Sequence, residues 1–109
     1  MTTFIIINEK HKLLPDQERV LNEELCGPWE LFPVPDDGWT YAEMKDDVLH
    51  DIGDAPVVFV SPIPALILML AGQRAGVNVW VMHNDNREAK ELPGGRIIHT
   101  VSREGWRLV

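Results

Sequence analysis

Basic, imidazole and hydroxyl side chains gather on three short polar stretches of this chain: Asn8, Lys10, His11 and Lys12; Ser61 with Pro62; and His83, Asn84 and Arg87. Each stretch follows a run of β-branched or aromatic residues, at 3–7, 57–60 and 77–82. In an open parallel sheet the loops beyond the strands' carboxyl ends converge on one edge, so the three stretches are expected to line one crevice. Lys10, His11, Lys12 and Arg87 bring positive charge there, and a helix opening at Pro64 adds unpaired backbone N–H groups. Together these groups suit a phosphodiester. Ser61 either donates to a phosphate or caps the following helix. The prolines of Ser61-Pro62-Ile63-Pro64 remove backbone donors, which makes the loop a poorer phosphate cradle than a glycine-rich one. For the lysines the competing account is plain solvation, and for His11 solvation or capping.

Several chemistries lose ground. The chain has no Gly-x-x-x-x-Gly-Lys-Ser/Thr loop, no Gly-x-Gly-x-x-Gly, no His-Glu-x-x-His and no Gly-x-Ser-x-Gly. Cys26 is the only cysteine, so no internal disulfide and no thiolate zinc cluster can form; it reads as a small core residue in a reducing, cytoplasmic protein. The histidines, with His50 and His99 away from the crevice stretches, have no metal-ligand spacing. A net charge of −7 disfavours duplex nucleic acid, which requires a broad basic surface. No apolar run is long enough to span a bilayer, and the first residues lack the basic flank of a secretory signal.

The elements that must position these groups read as an alternating α/β series. The 109 residues fit one domain, 1–109. Residues 3–7 form a first strand covered on both faces. Pro15-Asp16-Gln17-Glu18 opens a helix carrying Val20, Leu21 and Leu25, stopped by Gly27-Pro28. Residues 29–34 form a second strand. Tyr41, Met44, Val48 and Ile52 recur at helical spacing in a segment, 36–54, with seven acidic residues against Lys45 alone; its charged face reads as solvated rather than as a carboxylate metal cluster. Strand 57–60, an apolar helix from Pro64 to Ala75 ended by Gly76, and strand 77–82 follow. Asp85 with Glu88 resembles a capping box, so a short helix is expected before Pro93-Gly94-Gly95, then a strand at 96–101 and a further one at 106–109. This order predicts a three-layer α/β fold with a mostly parallel sheet of about five strands. Trp80, inside a strand, is expected in the core, and the apolar helix calls for cover by the sheet or by a second copy, so a homodimer is expected.

The chain resembles the small CARF-like (CRISPR-associated Rossmann-like) proteins of type III CRISPR systems, in particular the minimal ring nucleases. The likeness runs nearly end to end, through His11-Lys12-Leu13-Leu14-Pro15-Asp16-Gln17 after the first strand, Gly53-Asp54, residues 65–76, Asn86-Arg87-Glu88-Ala89 and Leu92-Pro93-Gly94-Gly95. It implies a Rossmann-like fold and a dimer holding a cyclic tetra- or hexaadenylate across two crevices. It also implies metal-independent, cofactor-free cleavage by a ribose 2′-hydroxyl. On that resemblance His11 is a proton-transfer or phosphate contact, Lys12 and Arg87 are phosphate clamps, Ser61 contacts phosphate or ribose, and His83 or Asn84 orients the ligand. Asn8, Lys10 and Pro62 complete the expected ligand-binding set. The alternatives are a non-catalytic sensor or sponge for the same messenger, and a small Rossmann-like domain whose ligand is no nucleotide.

Overall fold

Tyr41, Met44, Val48 and Ile52 set the rhythm of the acidic segment, and the computed structural model shows how the chain meets it. The structure describes residues 2–73 and 78–109. Thr40 and Glu43 cap each other reciprocally, with Glu43 N–H to Thr40 Oγ1 at 3.1 Å and Thr40 N–H to Glu43 Oε1 at 3.2 Å. From this cap α2 (Tyr41–Glu43) runs into a wider π-helical turn (Met44–Val48) and then α3 (Leu49–Ile52). Gly53, at φ +58°, ends the run in a conformation that favours glycine. Met44, Val48 and Ile52 are buried, while Tyr41 stays exposed.

The strands follow the β-branched runs. β1 (Thr3–Asn8), β2 (Trp29–Val34), β3 (Val57–Phe59), β4 (Val79–His83) and β7 (Arg107–Leu108) make one sheet in the order β2-β1-β3-β4-β7. The first four are mutually parallel, and β7 closes the edge antiparallel to β4. Helices cover both faces. α1 (Pro15–Glu24) places Val20 and Leu21 against Ile5, Val58 and Met82. On the opposite face Met44, Val48 and Ile52 join Leu66 and Leu70 of α4 (Pro64–Gln73) over Ile6, Val57 and Phe59. The neighbours Ile5 and Ile6 thus point into different layers, as strand alternation requires. Pro15 opens α1, and Gln17 Oε1 accepts the Leu14 N–H at 2.9 Å.

Three expectations need correction. Arg87-Glu88-Ala89-Lys90-Glu91 is strand β5, not helix, and it pairs antiparallel with β6 (Ile97–Val101). This two-stranded sheet is separate from the main one, so the fifth strand of the main sheet is β7. The local helix preference of these residues loses to the turn. Gly94 and Gly95 both adopt positive φ, +96° and +82°, and fold the chain back so that Leu92 N–H meets Arg96 O. Cys26 is exposed rather than a core residue. Trp80 is half-buried, leaning on the α1-side core. The expected helix stop at Ala75-Gly76 and the expected strand start at Val77 lie outside the described residues.

Candidate functional site

The strand register fixes one row of residues at the carboxyl edge. Ile6 pairs with Phe59 and Phe59 with Val81, so Asn8, Ser61 and His83, each two residues further along, stand level. Adjacent strands lie about 4.8 Å apart, which spreads the row over about 10 Å. Strand order reverses between β1 and β3, where β1 is flanked by β2 on one side and β3 on the other. Open α/β sheets place their ligand crevice at such a reversal.

Asn8 and Ser61 meet there. The Asn8 N–H donates to Ser61 Oγ at 2.9 Å across 53 residues of sequence. The Ser61 oxygen is therefore spent on β1, not on capping α4, and its own proton has no acceptor among the described residues. Asn8 also organises the loop that follows: Oδ1 accepts the Lys10 N–H at 2.9 Å, and its carbonyl accepts the His11 N–H at 2.9 Å. This turn sends Lys10 sideways to Asp36, with Nζ 3.0 Å from the carboxylate, while Glu9 Oε1 accepts the Asp36 N–H at 3.0 Å. His11 and Lys12 stay exposed with no side-chain partner among the described residues. Pro62 is exposed in the turn leading to α4.

The β4 side is more constrained. His83 Nε2 lies 2.6 Å from Asp85 Oδ1, and Arg107 Nη2 donates to Asp85 Oδ2 at 3.1 Å. The His83 hydrogen bond first, then the His83 charge, and last the Arg107 and Arg87 charges hold the Asp85 carboxyl below its ordinary value, against a desolvation cost that exceeds either arginine's contribution. Asp85 is thus the partner of His83 and Arg107, and no helix follows for it to cap.

Asn84 and Arg87 serve the backbone. Asn84 is only 3% exposed, and Nδ2 gives its two protons to Ser102 O at 3.0 Å and Glu104 O at 2.7 Å. Its Oδ1 accepts the Asn86 N–H at 2.9 Å. An amide so occupied has no donor left for a ligand. Arg87 Nη1 folds back onto Asn84 O at 2.7 Å and Asn86 O at 3.0 Å, so only the rest of its guanidinium is available as a clamp. The structure therefore groups Asn8, His11, Lys12, Ser61 and His83 at one edge, turns Lys10 aside and buries Asn84.

Two concavities lie elsewhere. One of about 440 Å³ is lined by Pro15, Asp16, Arg19, Arg103 and Glu104. Another of about 320 Å³ sits among Thr3, Leu25, Cys26, Pro56, Asn78 and Trp80, at the amino edge. The carboxyl-edge row, a shelf of exposed and half-buried groups, lines neither of these. Comparisons with protein-family models, curated proteins and solved structures give no match. The functional reading accordingly rests on the shelf itself.

Sequence reasoning missed three partners. Asp36 holds Lys10, Arg107 joins the His83–Asp85 pair, and Asp16 Oδ2 accepts the Gly105 and Trp106 N–H groups at 2.9 and 3.0 Å. Asp16 also pairs with Arg19, and these bonds, the Trp106 N–H first, hold its carboxyl below the ordinary 3.8. Each partner lies on a different element, so spacing carries no trace of the pairing.

Proposed function

We propose that this shelf binds a cyclic oligoadenylate, with cyclic tetraadenylate the favoured ring, on a Rossmann-like fold of the CARF-like kind. The observation that supports this most is the Asn8–Ser61 bond at the reversal of strand order, which leaves the Ser61 hydroxyl proton without an acceptor among the described residues at the edge from which the His11–Lys12 loop departs.

On this reading Lys12 and the start of α4 attract a phosphate, Ser61 donates to a phosphate or ribose oxygen, and His83 orients the ligand. Cleavage follows when a 2′-hydroxyl is held in line with its own 3′-phosphate. The new bond joins the 2′-oxygen to phosphorus, and the bond to the 5′-oxygen breaks. His11 takes the 2′ proton while water protonates the leaving 5′-oxygen, or protonates the 5′-oxygen while water takes the 2′ proton, leaving a 2′,3′-cyclic phosphate. Lys12 offsets charge on the phosphoryl oxygens. Such a step signals the end of a messenger's life and switches off the antiviral response it drives.

A second reading, a sensor or sponge that holds the ring intact, is favoured by one observation: His11 and Lys12 are exposed, with no side-chain bond orienting them among the described residues. Incubation with cyclic tri-, tetra- and hexaadenylate in EDTA separates the two. Linear products with cyclic phosphate ends, lost in His11→Ala or Lys12→Ala, establish the nuclease. Tight binding of an intact ring establishes the sponge, and neither binding nor cleavage overturns both.

A further inference from the structure

The pocket of about 320 Å³ at the amino edge lies at the far end of the strands from the shelf. Strand register builds its floor. Phe4 pairs with Val57 and Val57 with Val79, so Thr3, Pro56 and Asn78, each one residue earlier, stand level. Thr3 shares the α1 side of the sheet with Ile5 by strand alternation, and Trp80 packs into the core on that same side. The wall is the end of α1, where Glu24 and Leu25 run into Cys26.

The chemistry of this wall and floor favours a positively charged occupant. Glu24 lines the pocket and enters no ion pair among the described residues. The carbonyl end of α1 meets the same space: Leu21 O accepts the Leu25 N–H as the helix closes, and no basic residue stands in the last turn to offset the carbonyls beyond it. A helix C-terminus carries about half a negative charge. The half-buried Trp80 indole adds a π face, which attracts cations. Among the described lining residues there is no lysine, arginine or histidine.

Thr3 supplies the sign of a missing ligand. It is only 6% exposed, yet its hydroxyl has no hydrogen-bond partner among the described residues. Buried hydroxyls are ordinarily bonded. Among the described residues Trp106 Nε1 is the side-chain atom both sealed from solvent and unpartnered. The Thr3 oxygen is therefore not sealed, and the space it opens onto is the pocket it lines.

We propose that this pocket binds a small aromatic amine in its ammonium form. The ring packs on Trp80 and Leu25, the ammonium is held by Glu24 and the α1 carbonyls, and Thr3 Oγ1 accepts one of its N–H groups. The volume lies at the low end of the range for small-molecule sites, about 300–1,000 Å³, and has room for one ring with a short side chain. The site is at the opposite edge from the shelf, so the inference stands whether or not the shelf binds a nucleotide.

Phenethylamine is the probe, with 2-phenylethanol and 3-phenylpropionate as its neutral and anionic counterparts. Titration of the full chain at neutral pH and low salt, followed in ¹H–¹⁵N spectra, shifts the signals of Thr3, Cys26 and the Trp80 indole with a Kd of about 1 mM. The alcohol binds more weakly and the carboxylate not at all. Glu24→Gln, at an exposed position, weakens amine binding about threefold. Thr3→Val, of the same shape, weakens it about fivefold, and both variants keep the parent circular dichroism spectrum. Cys26 gives a second readout, because it is the only cysteine: its alkylation by iodoacetamide slows as the amine fills the pocket, with the same Kd. Signals at these residues that stay fixed up to about 10 mM amine, alcohol or carboxylate that binds as tightly as the amine, or an affinity unmoved by Glu24→Gln or by Thr3→Val each overturn the proposal.

Discussion

Replacing Asn84 by alanine separates a structural role from a ligand role at the residue where the two collide. The side chain makes three hydrogen bonds from a site 3% exposed, to Ser102 O, Glu104 O and the Asn86 N–H. At about 1 kcal/mol net for each bond the loss comes to about 3 kcal/mol. For a chain of this size that lowers Tm by about 15 °C, at about 5 °C per kcal/mol. Thermal melting followed by circular dichroism reads the shift. Amide exchange reads its location: protection at 87–91 and 97–101 falls first, because Asn84 anchors the base of the hairpin. Residues of β1 and β3 keep theirs until global unfolding. A variant that melts within about 1 °C of the parent yet no longer binds cyclic tetraadenylate refutes the reasoning and returns Asn84 to the ligand.

Gly105→Ala forces a side chain into a φ of +88° with its Cβ against Asn86 Nδ2 and close to Asn84 Oδ1, so urea unfolding shows a loss of about 2 kcal/mol. The Asp16 carboxyl is held below its ordinary 3.8, so the stability it contributes is complete above that value and is lost as pH falls through the lower folded one. Asp16→Asn removes that part of the acid dependence in melts taken across the range, and an unchanged acid limb counts against the assignment. Lys12→Ala weakens ring binding about tenfold, with a shallower salt dependence, and leaves Tm unchanged. Lys10→Ala weakens binding less than Lys12→Ala in the same titration, because its ammonium is committed to Asp36.

The central sheet was legible because its strands are written in consecutive β-branched and aromatic residues, as in Thr3-Phe4-Ile5-Ile6-Ile7, and because buried parallel strands need no alternation. The capped acidic helix was legible from Met44, Val48 and Ile52, although its π-helical turn left no sign in composition. The hairpin was not, since Arg-Glu-Ala-Lys-Glu is a helix-forming string and only Pro93-Gly94-Gly95 marks the reversal. Within the site, the convergence of Asn8, Ser61 and His83 followed from strand order alone. What each side chain would be bonded to did not follow: the two carbonyls that occupy Asn84 lie 18 and 20 residues downstream.

The bonds from Asp16 to Gly105 and Trp106 join residues 89 and 90 apart in sequence. During synthesis, α1 and the first strands emerge long before the segment that pairs with β4. Until residues 105–109 have left the ribosome, the outer edge of Val81-Met82-His83 is an open template for other strands. Substitutions around Gly105 that slow this last pairing thus act on the yield of soluble protein, through the nascent chain, before they act on anything the folded molecule does.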